Sequence, residues 1–385
     1  MNYDNKEIFL TLLRLGIGHQ SGITVPNIVD WGAIETLAVE QGLSAVMVDG
    51  IERLPDEMRP PKLVLLQWIG ETLKSYEYRY DAYKKTIAEI AEFYNTYGFR
   101  MMVLKGYACA LDWPRPEHRP CGDIDIWLFG KQNEADKILS KEKGIEIDRS
   151  HHHHTIYYWN DFMVENHYDF DNVHAHRSNK DIEVFLKELG TLKYESSELR
   201  VESQLNECSN IGCKFPTVVL EDTSTGSATK IYLPSPNLHA LFLLRHMSGH
   251  FSGAKISLRQ VLDWAFFVEK HTSEIDWEWL INLLEKYHMK DFYNCINAIC
   301  VEDLGFPIDI FPKVQFIPEL KKRVLEDILN PEYSAAEPRD FLPRVIYKYK
   351  RWQGNAWKQE MCYGESRWSA FWTGIWAKIL KPASI

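Results

Sequence analysis

The segment Arg119-Pro120-Cys121-Gly122-Asp123-Ile124-Asp125-Ile126-Trp127-Leu128 restricts the possible folds of this chain more than any other. Its alternation predicts a strand over 123–129, with Asp123 and Asp125 on one face and Ile124, Ile126 and Leu128 turned into a core. Two carboxylates on one strand face repel each other, and burial sharpens the repulsion. A chain that keeps such a pair usually has a divalent cation to neutralise it. Upstream, the short apolar run Phe99-Arg100-Met101-Met102-Val103-Leu104 delivers a Lys105-Gly106 turn, which brings a cation and a residue that tolerates close backbone approach.

The flanking sequence has a different period. Up to about residue 96 the apolar residues recur at helical spacing, with Asp30 as a helix cap and Pro60-Pro61 opening a long helical stretch. After residue 98 come the two strand-like runs, a helix over 133–143, and a hairpin in which Thr155–Trp159 and Phe162–Tyr168 flank Asn160-Asp161. From Pro236 onward the helical spacing returns. The expected fold is α+β: a small mixed sheet over residues 98–235, between a helical N-terminal region, 1–97, and a helical C-terminal region, 236–385.

Composition narrows the function classes. A net charge of −10 argues against a protein that grips duplex nucleic acid through a broad basic surface. Seven cysteines without a CxxC pair suit reduced thiols, not a disulfide framework. The first residues lack the pattern of a signal peptide, and no apolar run is long enough for a transmembrane segment, so a cytoplasmic location is expected.

The constellation suits phosphoryl chemistry on a nucleoside triphosphate (NTP). Asp123 and Asp125 are hard oxygen donors for divalent cations, and a shared carboxylate can serve two such ions. Gly106, and amides at the start of a helix after it, suit β- and γ-phosphates, while Lys105 and Arg119 offer charge to the same oxygens. A third acid is expected from a neighbouring strand. Glu165, in Val164-Glu165-Asn166-His167-Tyr168, fills that role and shares its strand face with His167, which would orient it or touch substrate.

Together, Leu104-Lys105-Gly106, Arg119-Pro120-x-Gly122-Asp123-Ile124-Asp125 and Glu165-x-His167 resemble the uncharacterised bacterial nucleotidyltransferase family of the polymerase-β-like superfamily. The Asp30-Trp31 to Gly42 helix and Arg259-x-x-x-Asp263-Trp264 extend the likeness over most of residues 25–305. The resemblance implies a small mixed sheet with helices, dependence on Mg²⁺ or Mn²⁺, and an NTP such as ATP as donor. It also makes Asp123, Asp125 and Glu165 the metal ligands and catalytic acids, and Lys105, Gly106 and Gly122 parts of the phosphate turn. The superfamily's usual Gly-Ser turn is Lys-Gly here, a departure that bears on the triphosphate contacts.

Other histidines compete for attention. His151–His154 is an internal tract placed before the hairpin; it suits adventitious transition-metal binding or, through His154, a position near substrate. His246 and His250 stand four residues apart on a helix, with Asp263 beyond them, which motivates a rival reading as a His-based metal-dependent hydrolase. Packing or a substrate-facing role is the alternative for that pair. Arg259 is expected to bridge to Asp263 or to reach phosphate. A further rival is a non-catalytic nucleotide- or partner-binding module of the toxin–antitoxin kind. The Trp-rich segment 367–381 reads as a packed terminal helix, with an interfacial membrane helix as its alternative. The acidic balance favours a small-molecule or protein acceptor over nucleic acid.

Overall fold

The change of hydrophobic pattern near residue 98 marks the passage from helix to sheet. In the structure, a computed structural model describing residues 5–20, 29–191, 215–222, 227–332 and 338–365, helix Tyr78–Thr96 ends at the Tyr97-Gly98 turn and strand β1, Met102–Val103, begins four residues later. β2 is Ile124–Trp127, β3 His154–Trp159, β4 Phe162–His167, β5 Thr217–Asp222 and β6 Ser227–Tyr232. They form one six-stranded mixed sheet in the order β3-β4-β2-β1-β6-β5. β2 runs parallel to β4 and antiparallel to β1; β3 and β4 form the expected hairpin, with Asn160 at φ 52° in its turn. The α+β expectation is met.

β2 is shorter than its pattern suggested, and all four of its residues are buried, Asp125 included. The strand lies between β4 and β1, so neither of its edges is open. On one side Trp127 stacks on Phe170 at 4.5 Å between ring centroids, and Phe170 meets Phe242 at 5.7 Å. Elsewhere in the sheet, helix Tyr78–Thr96 joins β3 through the buried Tyr94–Tyr157 hydroxyl pair at 3.1 Å and through Glu89, which accepts from Trp159 Nε1 at 3.0 Å.

The chain divides into two compact units, both discontinuous. One carries the sheet and takes in Lys84–Ala108 and Asp123–Phe242; the other takes in Met1–Tyr83, Cys109–Gly122 and Leu243–Ile375. Most described residues of the two terminal helical regions, those up to 83 and from 243 on, fall in the second unit. Long-range polar contacts explain why. Gln41 donates to the Ile328 carbonyl at 2.9 Å and accepts from the Leu258 amide at 2.8 Å, and Arg14 donates to the Asp303 carbonyl at 2.9 Å. Within the same body, helices Asn5–Ile17 and Ser44–Glu52 cross through glycines: a Cβ on Gly16 would stand 2.3 Å from the Val46 carbonyl, and one on Gly50 2.3 Å from that of Leu12.

Several elements follow their sequence signals closely. Asp30 Oδ1 accepts from the Ala33 amide at 3.0 Å as a cap, and the helix expected after Pro60-Pro61 starts at Lys62 and passes through a π-helical turn, Leu73–Glu77, into Tyr78–Thr96. No helix among the described residues is long and apolar enough to cross a membrane. Cys208, Cys213 and the Trp-rich segment 367–381 lie outside the described residues.

Candidate active site

Strand register builds the site. Asp125 and Glu165 are direct partners in the parallel β2·β4 pair, so both side chains leave the sheet on one face. Asp123, just before β2, shares that face by the two-residue period and is half-buried. On the other edge of β4, His154 is the cross-strand partner of His167, which adds an imidazole pair beside the acids. Lys105 arrives from β1: the Leu104 amide donates to the Asp125 carbonyl at 3.0 Å, and the next residue brings its ammonium 2.6 Å from Asp125 Oδ1. Gly106 follows with φ 54°, a conformation that disfavours side chains with a Cβ.

Three carboxylates therefore sit with Lys105 and His167. His167 Nε2–H donates to Asp125 Oδ1 at 3.1 Å and lies 3.5 Å from Glu165 Oε2, while its Nδ1–H meets the Asp169 carbonyl at 3.1 Å. Burial works against charge on His167, but hydrogen bonds to Asp125 and Glu165 outweigh it and push the imidazole up to about 9. Burial likewise tends to raise Asp125, yet the Lys105 ammonium and His167 hold it well below the ordinary carboxylate range. Asp123 moves the other way, raised first by burial and then by the negative charge on Asp125. Two cations against three acids leave one negative charge in excess at a partly buried place. Asp125, Glu165 and His167 offer ligand atoms within 4.8 Å of one another, a grouping that could hold a metal ion.

The turn that follows β4 is fixed from beneath. Glu183 accepts from the Phe170 amide at 2.9 Å and from the Asp171 amide at 3.1 Å, and Lys187 pairs with Asp169. Both residues come from helix Asn179–Leu189, which the sequence reading passed over; its signal is the spacing of the buried Ile182 and Leu186. Asn166, between the two site residues of β4, points to the opposite face and donates to the buried Asp136 at 2.8 Å. Strands β5 and β6 also escaped the sequence reading, although Leu220 and Ile231 are buried on them.

The other expected site residues have different settings, all within the helical body. Arg119, expected on phosphate oxygens, instead forms a buried fork with Asp263, Nε to Oδ1 at 2.7 Å and Nη2 to Oδ2 at 2.9 Å. Trp113 Nε1 donates to the same carboxylate at 2.9 Å. Asp263 is thereby taken, which removes both the expected Arg259–Asp263 bridge and the acid of the His-based hydrolase reading. His246 and His250 do adjoin, with ring centroids 4.4 Å apart, but neither belongs to a metal-capable group among the described residues. Arg259 packs its stem near Gly42. Gly122 is exposed, and a Cβ there would meet nothing within 4 Å. The helix after Gly106, Tyr107–Ala110, is a single turn, too short to lend the phosphate-binding dipole expected of it.

One mixed sheet carries acids paired across parallel strands and a lysine delivered onto them, all inside the stretch that the family comparison covers. Residues 27–305 match the family described as uncharacterised nucleotidyltransferase, which is more than half of the chain. The chain belongs to that family, and its class is nucleotidyl transfer with a nucleotide substrate. No curated protein matches the chain. No solved structure matches it either.

Proposed function

We propose that the chain is a polymerase-β-like nucleotidyltransferase that moves a nucleoside monophosphate from an NTP, such as ATP, to a hydroxyl or phosphate acceptor and releases pyrophosphate. The register pairing of Asp125 with Glu165, inside the matched family region, is the observation that carries this reading.

The residues fit a divalent cation. Their donors are hard carboxylate oxygens, and the cluster holds more negative than positive charge. Asp123, Asp125 and Glu165 would hold Mg²⁺ or Mn²⁺, which supplies charge neutralisation at the triphosphate when bound. Lys105 and His167 fix the Asp125 carboxylate in one orientation. Lys105, just before the Gly106 turn, supplies positive charge toward phosphate oxygens. Glu165 receives the proton of the acceptor hydroxyl as that oxygen bonds to the α-phosphorus. The bond from the α-phosphorus to the bridging oxygen breaks, and pyrophosphate departs with its electron pair.

A small-molecule or protein acceptor suits the net charge of −10 better than a long polyanion. Buried cysteines held as thiols at Cys109, Cys295, Cys300 and Cys362 suit a reducing, cytoplasmic setting. The test is a screen of α-labelled NTPs against metabolite and protein pools with Mg²⁺. Label should move to an acceptor with the wild-type chain and stay on the NTP with Asp125→Asn and Glu165→Gln, both retaining native circular dichroism. Full transfer by either variant would remove the assignment.

A further inference from the structure

The histidine tract carries an observation that nucleotidyl transfer does not use. Both ring nitrogens of His154 are buried without a hydrogen-bond partner, and so is Nδ1 of His153. His154 is only 5% exposed, and its Nδ1 stands 3.6 Å from Glu165, beyond hydrogen-bond reach. Leaving a buried polar atom unsatisfied is costly. A neutral imidazole carries one N–H and one lone pair, so a buried ring with neither nitrogen hydrogen-bonded is suited to a ligand that takes the lone pair.

We propose that His153, His154 and His167 form a nitrogen-rich site for a borderline divalent transition ion, with Zn²⁺ as the reference, beside the carboxylates. Their ligand atoms lie within 4.8 Å of one another. Two nitrogens on a tetrahedral zinc at about 2.0–2.1 Å each stand about 3.3–3.4 Å apart, so ring rotations that draw these atoms closer complete the set. The backbone beneath is already pinned. The His153 carbonyl accepts from the amides of Tyr168 and Asp169, both at 3.0 Å, and the His151 carbonyl accepts from the Tyr168 hydroxyl at 2.7 Å. The rings of His153 and His154 meet edge to face at 4.3 Å, and those of His154 and His167 are 5.3 Å apart.

The outer contacts are those of a metal ligand. His167 Nδ1–H meets the Asp169 carbonyl at 3.1 Å, which orients the ring; the ion would bind Nε2 in place of the proton that Nε2 now donates to Asp125. Imidazole donors favour zinc, cobalt and nickel, whereas Mg²⁺ prefers oxygen and keeps its water. The site is therefore chemically distinct from the three-carboxylate set, although His167 touches both, and it stands whether or not the acids turn over a nucleotide.

The experiment uses the full chain without an affinity tag, stripped by chelator and titrated with Co²⁺, followed by Zn²⁺ in competition. The expected result is a saturable visible absorption band from Co²⁺, abolished by Zn²⁺ and unaffected by excess Mg²⁺. His154→Gln and His153→Gln, each checked for native circular dichroism, should weaken Zn²⁺ binding by about 10–100-fold. His246→Gln, at a histidine outside this group, should leave it unchanged. Absence of the band in the wild-type chain would overturn the proposal. So would wild-type zinc affinity in both histidine variants, or a loss confined to His151→Gln.

Discussion

The chemistry of the site turns on how individual charges are compensated. Asp125 is nearly inaccessible, yet it stays ionised because Lys105 and His167 converge on one of its oxygens. Replacing it by alanine would take the ion-pair partner from Lys105, whose side chain is 14% exposed, a loss that for fully buried pairs typically costs roughly 3–5 kcal/mol. Asn keeps the shape and removes only the charge. Asp125→Asn should therefore retain a cooperative thermal transition while NTP turnover with Mg²⁺ falls below detection; an active variant would contradict the role. Arg119 belongs to the opposite case. Its fork with Asp263 is buried, so Arg119→Met should destabilise the chain by roughly 3–5 kcal/mol in urea titrations, with part of the loss recovered by adding Asp263→Leu. A cost near zero for the single variant would show that the pair does not hold this place together.

At the scale of elements, the sheet carries what the sequence made legible. The i, i+2 acids, the Asn160-Asp161 hairpin and the Glu165-x-His167 run all depend on the two-residue period, which is readable without tertiary knowledge. The pairing of Asp125 with Glu165 was inferred only as a neighbouring-strand acid, because register is set by packing and not by either strand alone. Arg119 was misjudged for a related reason: its partner Asp263 is distant in sequence, and a charge beside a motif cannot reveal which fold neighbour claims it. Helix contacts yield predictions of their own. The crossing of Asn5–Ile17 with Ser44–Glu52 leaves no room at Gly50, so Gly50→Ala should cost roughly 1–3 kcal/mol, read as a lowered urea midpoint at unchanged slope. An unshifted midpoint would mean the helices separate freely.

The one-turn 3₁₀ helix Pro116–His118 docks on neighbouring helices through His118. Its Nδ1 lies 2.6 Å from Asp49 and its Nε2 3.2 Å from Glu77. Burial and nearby Arg115 disfavour the charged ring, but the hydrogen bonds to Asp49 and Glu77 prevail and raise it above the ordinary histidine value. A raised folded value means protonation stabilises the native state: the contribution is complete below about pH 6.5 and is lost as pH rises through the folded value. Urea midpoints of wild type and His118→Gln should thus differ most at acidic pH and converge on the alkaline side. Parallel profiles would refute the linkage.

For the whole molecule, the sheet-bearing unit contains Lys105, the three acids and the histidines, whereas Arg119, His246, His250 and Arg259 belong to the helical unit. A contiguous reading of the chain could not separate these sets, because both units are assembled from segments far apart in sequence. Periodicity identifies helices and strands but carries no record of which distant segments share a body; Gln41 joining Ile328 and Leu258 is visible only once the chain is folded. The central claim is that Asp123, Asp125 and Glu165 hold a divalent cation against a nucleotide. Calorimetric titration of the full chain with the four common NTPs, in Mg²⁺ and then in EDTA, tests it most directly. At least one NTP should bind in Mg²⁺, binding should fail in EDTA, and Asp123→Asn and Glu165→Gln should abolish it; equal binding with and without the metal, or in the variants, would rule out this role for the three acids.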